Sequence, residues 1–234
     1  MAKILEELLE KAVFDGHINY LEYDKFTDPT KIGIGEIFKC EWEECELTVV
    51  FKCLKVDTDS LDEKSIKDAI NELKLLRKVD CHPNIIRFYG VTQDSNGYYN
   101  LVLQHADDGT LREYLKSNFA LLQWVDKLRI AKEIAFGLSF LHDNNIIHRD
   151  LHSKNILIHQ GKSKIAGFGP SKQINKTLNS VAHEMLAYVE PQCFTIPKYT
   201  RDKKSDIYSF GVILWEISSG SPPFWSFEPI TIIG

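Results

Sequence analysis

Residues 148–157 read His148-Arg149-Asp150-Leu151-His152-Ser153-Lys154-Asn155-Ile156-Leu157. Short apolar runs on either side predict strands that flank a polar loop, and this loop carries a carboxylate, Asp150, and an amide, Asn155. A little further on comes Gly167-Phe168-Gly169. The first stretch decides the fold. The second bears on what the fold is used for.

Working outward, the bulk composition is that of an ordinary globular chain. The protein has 234 residues, 44% hydrophobic and 26% charged, with a formal net charge of -5. That is enough for one domain with a large core. Lysine and arginine are scattered, so neither nucleic acid nor an anionic membrane is implied as a partner. The five cysteines, Cys40, Cys45, Cys53, Cys81 and Cys193, include no Cys-x-x-Cys pair and no zinc spacing. They are expected to be reduced thiols of a cytoplasmic protein. The N-terminus is too acidic for a signal or transit peptide, and the apolar runs, such as 210–215, are too short to span a bilayer. Asn175-Lys176-Thr177 is then a chance glycosylation match.

Apolar residues at Leu5, Leu8, Leu9, Ala12 and Val13 predict an amphipathic helix over 3–14, ended by Asp15-Gly16. Strands are expected at 31–35, 36–42, 47–55, 85–91 and 98–105, the last two around an Asp94–Gly97 turn. A helix over 61–79 is predicted from Ile66, Ile70, Leu73 and Leu76, and His82-Pro83-Asn84 breaks it. Helices follow at 111–115, 122–142 and 203–219, the last stopped by Gly220 and Pro222-Pro223. A strand-rich first third precedes a helix-rich remainder, giving an α+β class.

This order and its motifs resemble the protein kinase family, over roughly residues 26–228. The resemblance implies a bilobal fold: a lead-in with the N-terminal helix at 1–25, a small β-rich N-lobe and hinge at 26–106, and a helical C-lobe at 107–234. That C-lobe is expected to stop before the family's last helices, exposing apolar surface. Val49-Val50-Phe51-Lys52 resembles the strand whose lysine reaches the α- and β-phosphates of ATP. Glu72 would pair with Lys52. Leu103 would be the gatekeeper, the backbone of Gln104 and Ala106 would meet adenine, and Leu157 would also belong to the nucleotide site. Asp150 fits the catalytic base and Asn155 a magnesium ligand. His148 would pack as a core histidine with Leu76, Phe88 and Phe168. Arg149 would pair with a phosphorylated Thr177 or Ser180, and Asp206 would hold the catalytic-loop backbone. The style of the motifs is similar to tyrosine-kinase-like serine/threonine kinases of a fungal expansion.

The departures are as informative. Gly167 stands where the family carries the aspartate that binds magnesium. The phosphate loop reads in two registers. In one, Gly35 is the third glycine, Ile37 lies over adenine and the hairpin tip is shortened. In the other, Gly33 and Gly35 are the first two glycines and Phe38 replaces the third. The first keeps Phe38, Lys39 and Trp42 in their family places. Val50 replaces an alanine against adenine. His152 replaces a lysine, Met185 a threonine, and Gln192 a glutamate. Three readings follow: a pseudokinase with weak ATP binding and little use of Mg2+; a weak but active kinase acting on Ser/Thr or Tyr hydroxyls; or a truncated, non-functional copy. The implied partners are a protein substrate or a regulatory protein.

Overall fold

The computed structural model describes residues 2–32, 36–53, 73–74, 76–167 and 183–223. It divides into two compact units, one of residues 1–81 with 86–105, the other of 82–85 with 106–234. The predicted strand tip with Gly33 and Gly35, most of the 61–79 helix with Glu72, and Phe168, Thr177 and Ser180 lie outside the described residues.

The first unit is built on a five-stranded sheet of order β1-β2-β3-β5-β4, antiparallel at every pairing. The strands are β1 (Thr30–Lys31), β2 (Ile37–Trp42), β3 (Leu47–Cys53), β4 (Phe88–Gln93) and β5 (Tyr99–Gln104). Strand alternation sorts the side chains by face. Cys40, Val49, Phe51 and Val102 point to one side and join Phe26 in a buried cluster, with Leu21, Tyr23, Phe38, Trp42 and Tyr89 around it. Phe26 meets Phe51 edge-on at 4.9 Å. Val50 and Lys52 alternate with these residues and so face the other way, with Ile37 directly opposite Lys52 and Leu103 opposite Val50.

Helix α1 (Ala2–Phe14) buries Leu9 and Ala12, the inward positions of its stripe. It stops at Gly16, whose φ of +68° suits a residue without Cβ. The chain then runs along β4. The Val91 amide donates to Asn19 O at 2.9 Å, the Leu21 amide to Val91 O at 2.9 Å, and Asn19 Nδ2 to Tyr89 O at 3.1 Å. Tyr20 and Val91 form a parallel bridge. The expected strand at 85–91 starts later, at Phe88, because Ile85 is taken up elsewhere: it bridges Ile165 in the second unit.

The second unit is mainly helical. Thr110 caps α2 (Leu111–Asn118) in a reciprocal box with Glu113, which satisfies amides at the helix start that have no intrahelical acceptor. The long α3 (Trp124–Asp143) buries Ile130, Ile134, Leu138 and Leu141. Gly137 lies on the same face, where a Cβ would come within 2.8 Å of Asn84 O. The absence of a side chain lets the helix approach that backbone closely. The hairpin of β6 (Ile156–His159) and β7 (Lys162–Ile165) packs on α3. Asn84 ties the 82–85 segment to it: its O accepts the Ile165 amide at 2.8 Å and its Nδ2 donates to Ser163 O at 3.0 Å. Two single-turn helices, α4 (His183–Leu186) and α5 (Gln192–Thr195), precede α6 (Lys203–Ser219). Asp202 caps α6, and Gly220 ends it at φ +73°, a pairing of acceptor at the start and left-handed glycine at the stop.

Candidate active site

The loop at 148–155 is shaped from below by α6. Asp206, 1% exposed, accepts the His148 amide at 2.8 Å and the Arg149 amide at 2.9 Å, and lies 2.9 Å from His142 Nε2. These bonds fix Arg149 at φ +65°, a left-handed conformation unusual for an arginine. The expected role of Asp206 as a backbone clamp matches this geometry. His148 is buried. Its Nδ1 accepts the Asp150 amide at 3.2 Å, and its Nε2 lies 2.8 Å from Ala166 O. Nε2 therefore carries the proton and donates to that carbonyl. Burial pushes the His148 imidazole below its ordinary value, which keeps it neutral.

The side chain of Asp150 is 41% exposed, open to a reacting hydroxyl. Asn155 holds it from within the loop: Nδ2 lies 2.7 Å from Asp150 O and 3.1 Å from Asp150 Oδ2. His152 stands beside both, its Nε2 being 3.1 Å from Asn155 Nδ2 and 3.6 Å from Asp150 Oδ1. Asp150 and Asn155, given separate roles in the sequence analysis, are therefore in direct contact. A carboxylate held in this way can accept a proton from a hydroxyl placed within hydrogen-bond reach.

Gly167 closes the same corner, at φ +85°. A Cβ built on it would lie 2.4 Å from Asn155 Cγ and Oδ1 and 2.6 Å from Nδ2. The kinase resemblance implies a divalent cation at this corner, with Asn155 as a ligand. Gly167 offers no side-chain oxygen, and the space a ligand side chain needs is filled by Asn155. Among the described residues, no group of three or more His, Cys, Asp or Glu side chains is arranged to hold a metal ion.

A buried network lies behind the loop. Arg112 on α2 donates to Glu216 on α6, to Ser153 Oγ at 3.1 Å and to Tyr188 Oη at 2.9 Å. The Tyr188 hydroxyl also donates to Glu216. It is held far above its ordinary value by burial and then by that carboxylate, both of which disfavour the phenolate. The sequence analysis did not single out Arg112 or Glu216. A signal was there: Glu216 sits among Ile213, Leu214, Trp215 and Ile217, and a charge inside an apolar helix needs a partner. Glu190 is a second buried carboxylate, accepting from Ser205 Oγ and from Tyr199 Oη, the latter at 3.2 Å.

The remaining candidates are distributed between the two units. Ile37, Val50 and Lys52 share one sheet face of the first unit. Gln104 ends β5, its amide donating to Arg87 O at 2.9 Å and its Oε1 buried without a hydrogen-bond partner among the described residues. Leu157 lies in β6 of the second unit, bridged to Thr110, and Ala106 belongs to that unit too.

A family model described as protein tyrosine and serine/threonine kinase matches residues 31–233. The probable serine/threonine-protein kinase kinX of Dictyostelium discoideum is 31% identical over 213 residues, 88% of this chain and 19% of that protein. The serine/threonine-protein kinase VIK of Arabidopsis thaliana is 33% identical over 229 residues, 92% of this chain and 50% of that protein. Tyrosine-protein kinase Abl of Drosophila melanogaster is 32% identical over 196 residues, 81% of this chain and 12% of that protein. The chain spans half or less of each of these relatives. No helix among the described residues is long and apolar enough to cross a membrane. Since the match runs through both compact units and takes in the loop around Asp150, the chain belongs to the protein tyrosine and serine/threonine kinase family.

Proposed function

We propose that this chain is a kinase-like signalling protein with impaired phosphoryl transfer, a pseudokinase that binds ATP weakly and acts through a regulatory or substrate protein in the cytoplasm. The observation that carries this reading is Gly167. Phosphoryl transfer in this family rests on positioning and on neutralising phosphate charge, part of it by a cation held by the aspartate of this position. Gly167 supplies no ligand and Asn155 fills the gap. Loss of one aligned charge-stabilising group costs about 10²–10³ in rate, so turnover is expected far below the family range of roughly 1–100 per second.

A weak but active kinase is the second reading. The Asp206 clamp and the accessible Asp150 carboxylate favour it, because neither depends on residue 167. Lys52, Glu72 and Asn155 would serve it in their family roles. One experiment separates the two. Transfer of the γ-phosphate to protein and peptide acceptors is measured for the parent, Asp150→Asn and Lys52→Met, beside thermal shifts with ATP and with ATP plus magnesium. The pseudokinase reading expects an ATP shift that needs no magnesium, and transfer no higher than in Asp150→Asn. Sustained transfer lost in both variants would establish the second reading and refute the first.

A further inference from the structure

The missing carboxylate at 167 has a counterpart in the place of Asn155. We propose that positions 155 and 167 are a coupled pair: the Asn155 amide occupies the volume beside Gly167 Cα and braces Asp150 from there, so a carboxylate restored at 167 alone does not rebuild a cation site. This extends the impaired-transfer reading, but it concerns packing, and each can fail without the other.

Three observations support it. First, the three atoms nearest the virtual Cβ of residue 167 all belong to the Asn155 amide, at 2.4–2.6 Å, well inside any real contact. Second, Asn155 cannot retreat through its backbone. Its amide donates to His152 O at 2.8 Å, and its carbonyl accepts the Ala166 amide at 2.8 Å, one residue before Gly167. Relief must come from rotating the side chain, which breaks the bonds to Asp150 O and Oδ2. Third, the neighbouring space is taken: His152 Nε2 is 3.1 Å from the same nitrogen, and its ring packs beside Tyr188 with centroids 5.9 Å apart. Backbone strain is the smaller obstacle at 167. The φ of +85° lies near the left-handed region that aspartate tolerates better than most residues. The obstacle is volume, together with the hydrogen bonds that occupy it.

The test is a stability cycle on the full chain: parent, Gly167→Ala, Asn155→Ala and the double variant, each melted alone. Alanine adds only the Cβ, and its backbone strain is common to both backgrounds and cancels. Gly167→Ala should lower the parent melting temperature by about 4–10 °C, the scale of a displaced hydrogen-bonded side chain in a domain of this size. In the Asn155→Ala background the loss should fall to less than half of that. Gly167→Asp in the parent should melt early and show no magnesium-dependent rise. Equal losses in the two backgrounds, or no loss in the parent, would overturn the coupling. So would a Gly167→Asp protein that melts like the parent and is stabilised by magnesium. If Asn155→Ala does not fold, Asn155→Ser, which also withdraws the amide, completes the cycle.

Discussion

Replacing Asp206 by alanine removes the acceptor of two main-chain amides and a histidine nitrogen in one step. The carboxylate is almost wholly buried, and the His148 and Arg149 amides point at it from 2.8 and 2.9 Å. Alanine leaves both amides without that partner, the one of buried His148 included. An unsatisfied buried donor costs about 1–3 kcal/mol, so the two together cost about 2–6 kcal/mol before the His142 contact is counted. At about 2–4 °C per kcal/mol for a chain of this length, the melting temperature should fall by at least about 4 °C and by up to about 24 °C. Asp206→Asn keeps one acceptor oxygen and turns an N–H₂ towards the other amide, so its loss should be intermediate. Thermal melts of the three proteins give the order, and hydrogen exchange localises it: the His148 and Arg149 amides should exchange faster in both variants. An alanine variant melting within about 2 °C of the parent, a shift near the few-tenths effect of an ordinary surface change, would refute the clamp. So would unchanged exchange at those two amides.

Stability should also depend on pH through histidine. Burial holds the His148 and His82 imidazoles below their ordinary value in the fold. The unfolded chain, with histidine near about 6.5, then binds more protons below that pH, so stability should be full above it and fall as pH drops from about 6.5 towards about 5. Melts across that range check the slope, and a flat profile would count against it. Gly90→Ala should destabilise strongly, because the added Cβ would meet the Asn19 carbonyl at 2.4 Å and push the lead-in off β4; denaturant unfolding measures it, and a neutral result would contradict the packing. The Cys40 thiol is buried and pushed up to about 12 by that burial. It should resist alkylation in the native protein while exposed Cys45 and Cys81 react, since the thiolate is the reactive form; peptide mapping after brief labelling would expose the opposite order.

Elements with explicit punctuation were legible in the sequence. Helix α6 runs from Lys203 to Ser219 as predicted, because Asp202 and Gly220 mark its ends chemically. The kinase likeness was legible from the motif around Asp150, and the clamp from Asp206. The start of β4 was not. Ile85 and Ile86 read as strand, but Ile85 pairs with Ile165, a partner far along the chain that local pattern does not reveal. The Arg112–Glu216 contact joins residues just as distant, and only the isolated charge in α6 hinted at it. The sequence showed a ligand missing at 167. It did not show that Asn155 fills the space, because that depends on the left-handed turn at Gly167 and on the bonds that anchor residue 155.

The strip at 19–21 has a practical corollary. The match to the kinase family model begins at residue 31, yet β4 is the outer strand of its sheet and this strip satisfies its main chain. A fragment trimmed to the likeness would bare that strand and remove Phe26, Leu21 and Tyr23 from the aromatic cluster. Bare strand edges recruit other chains. Such a fragment should form soluble oligomers or precipitate where the longer chain elutes as a discrete species, a difference that light scattering would register. The start of the family model's match and the start of the packed unit are different positions in this protein, and expression boundaries belong at the second.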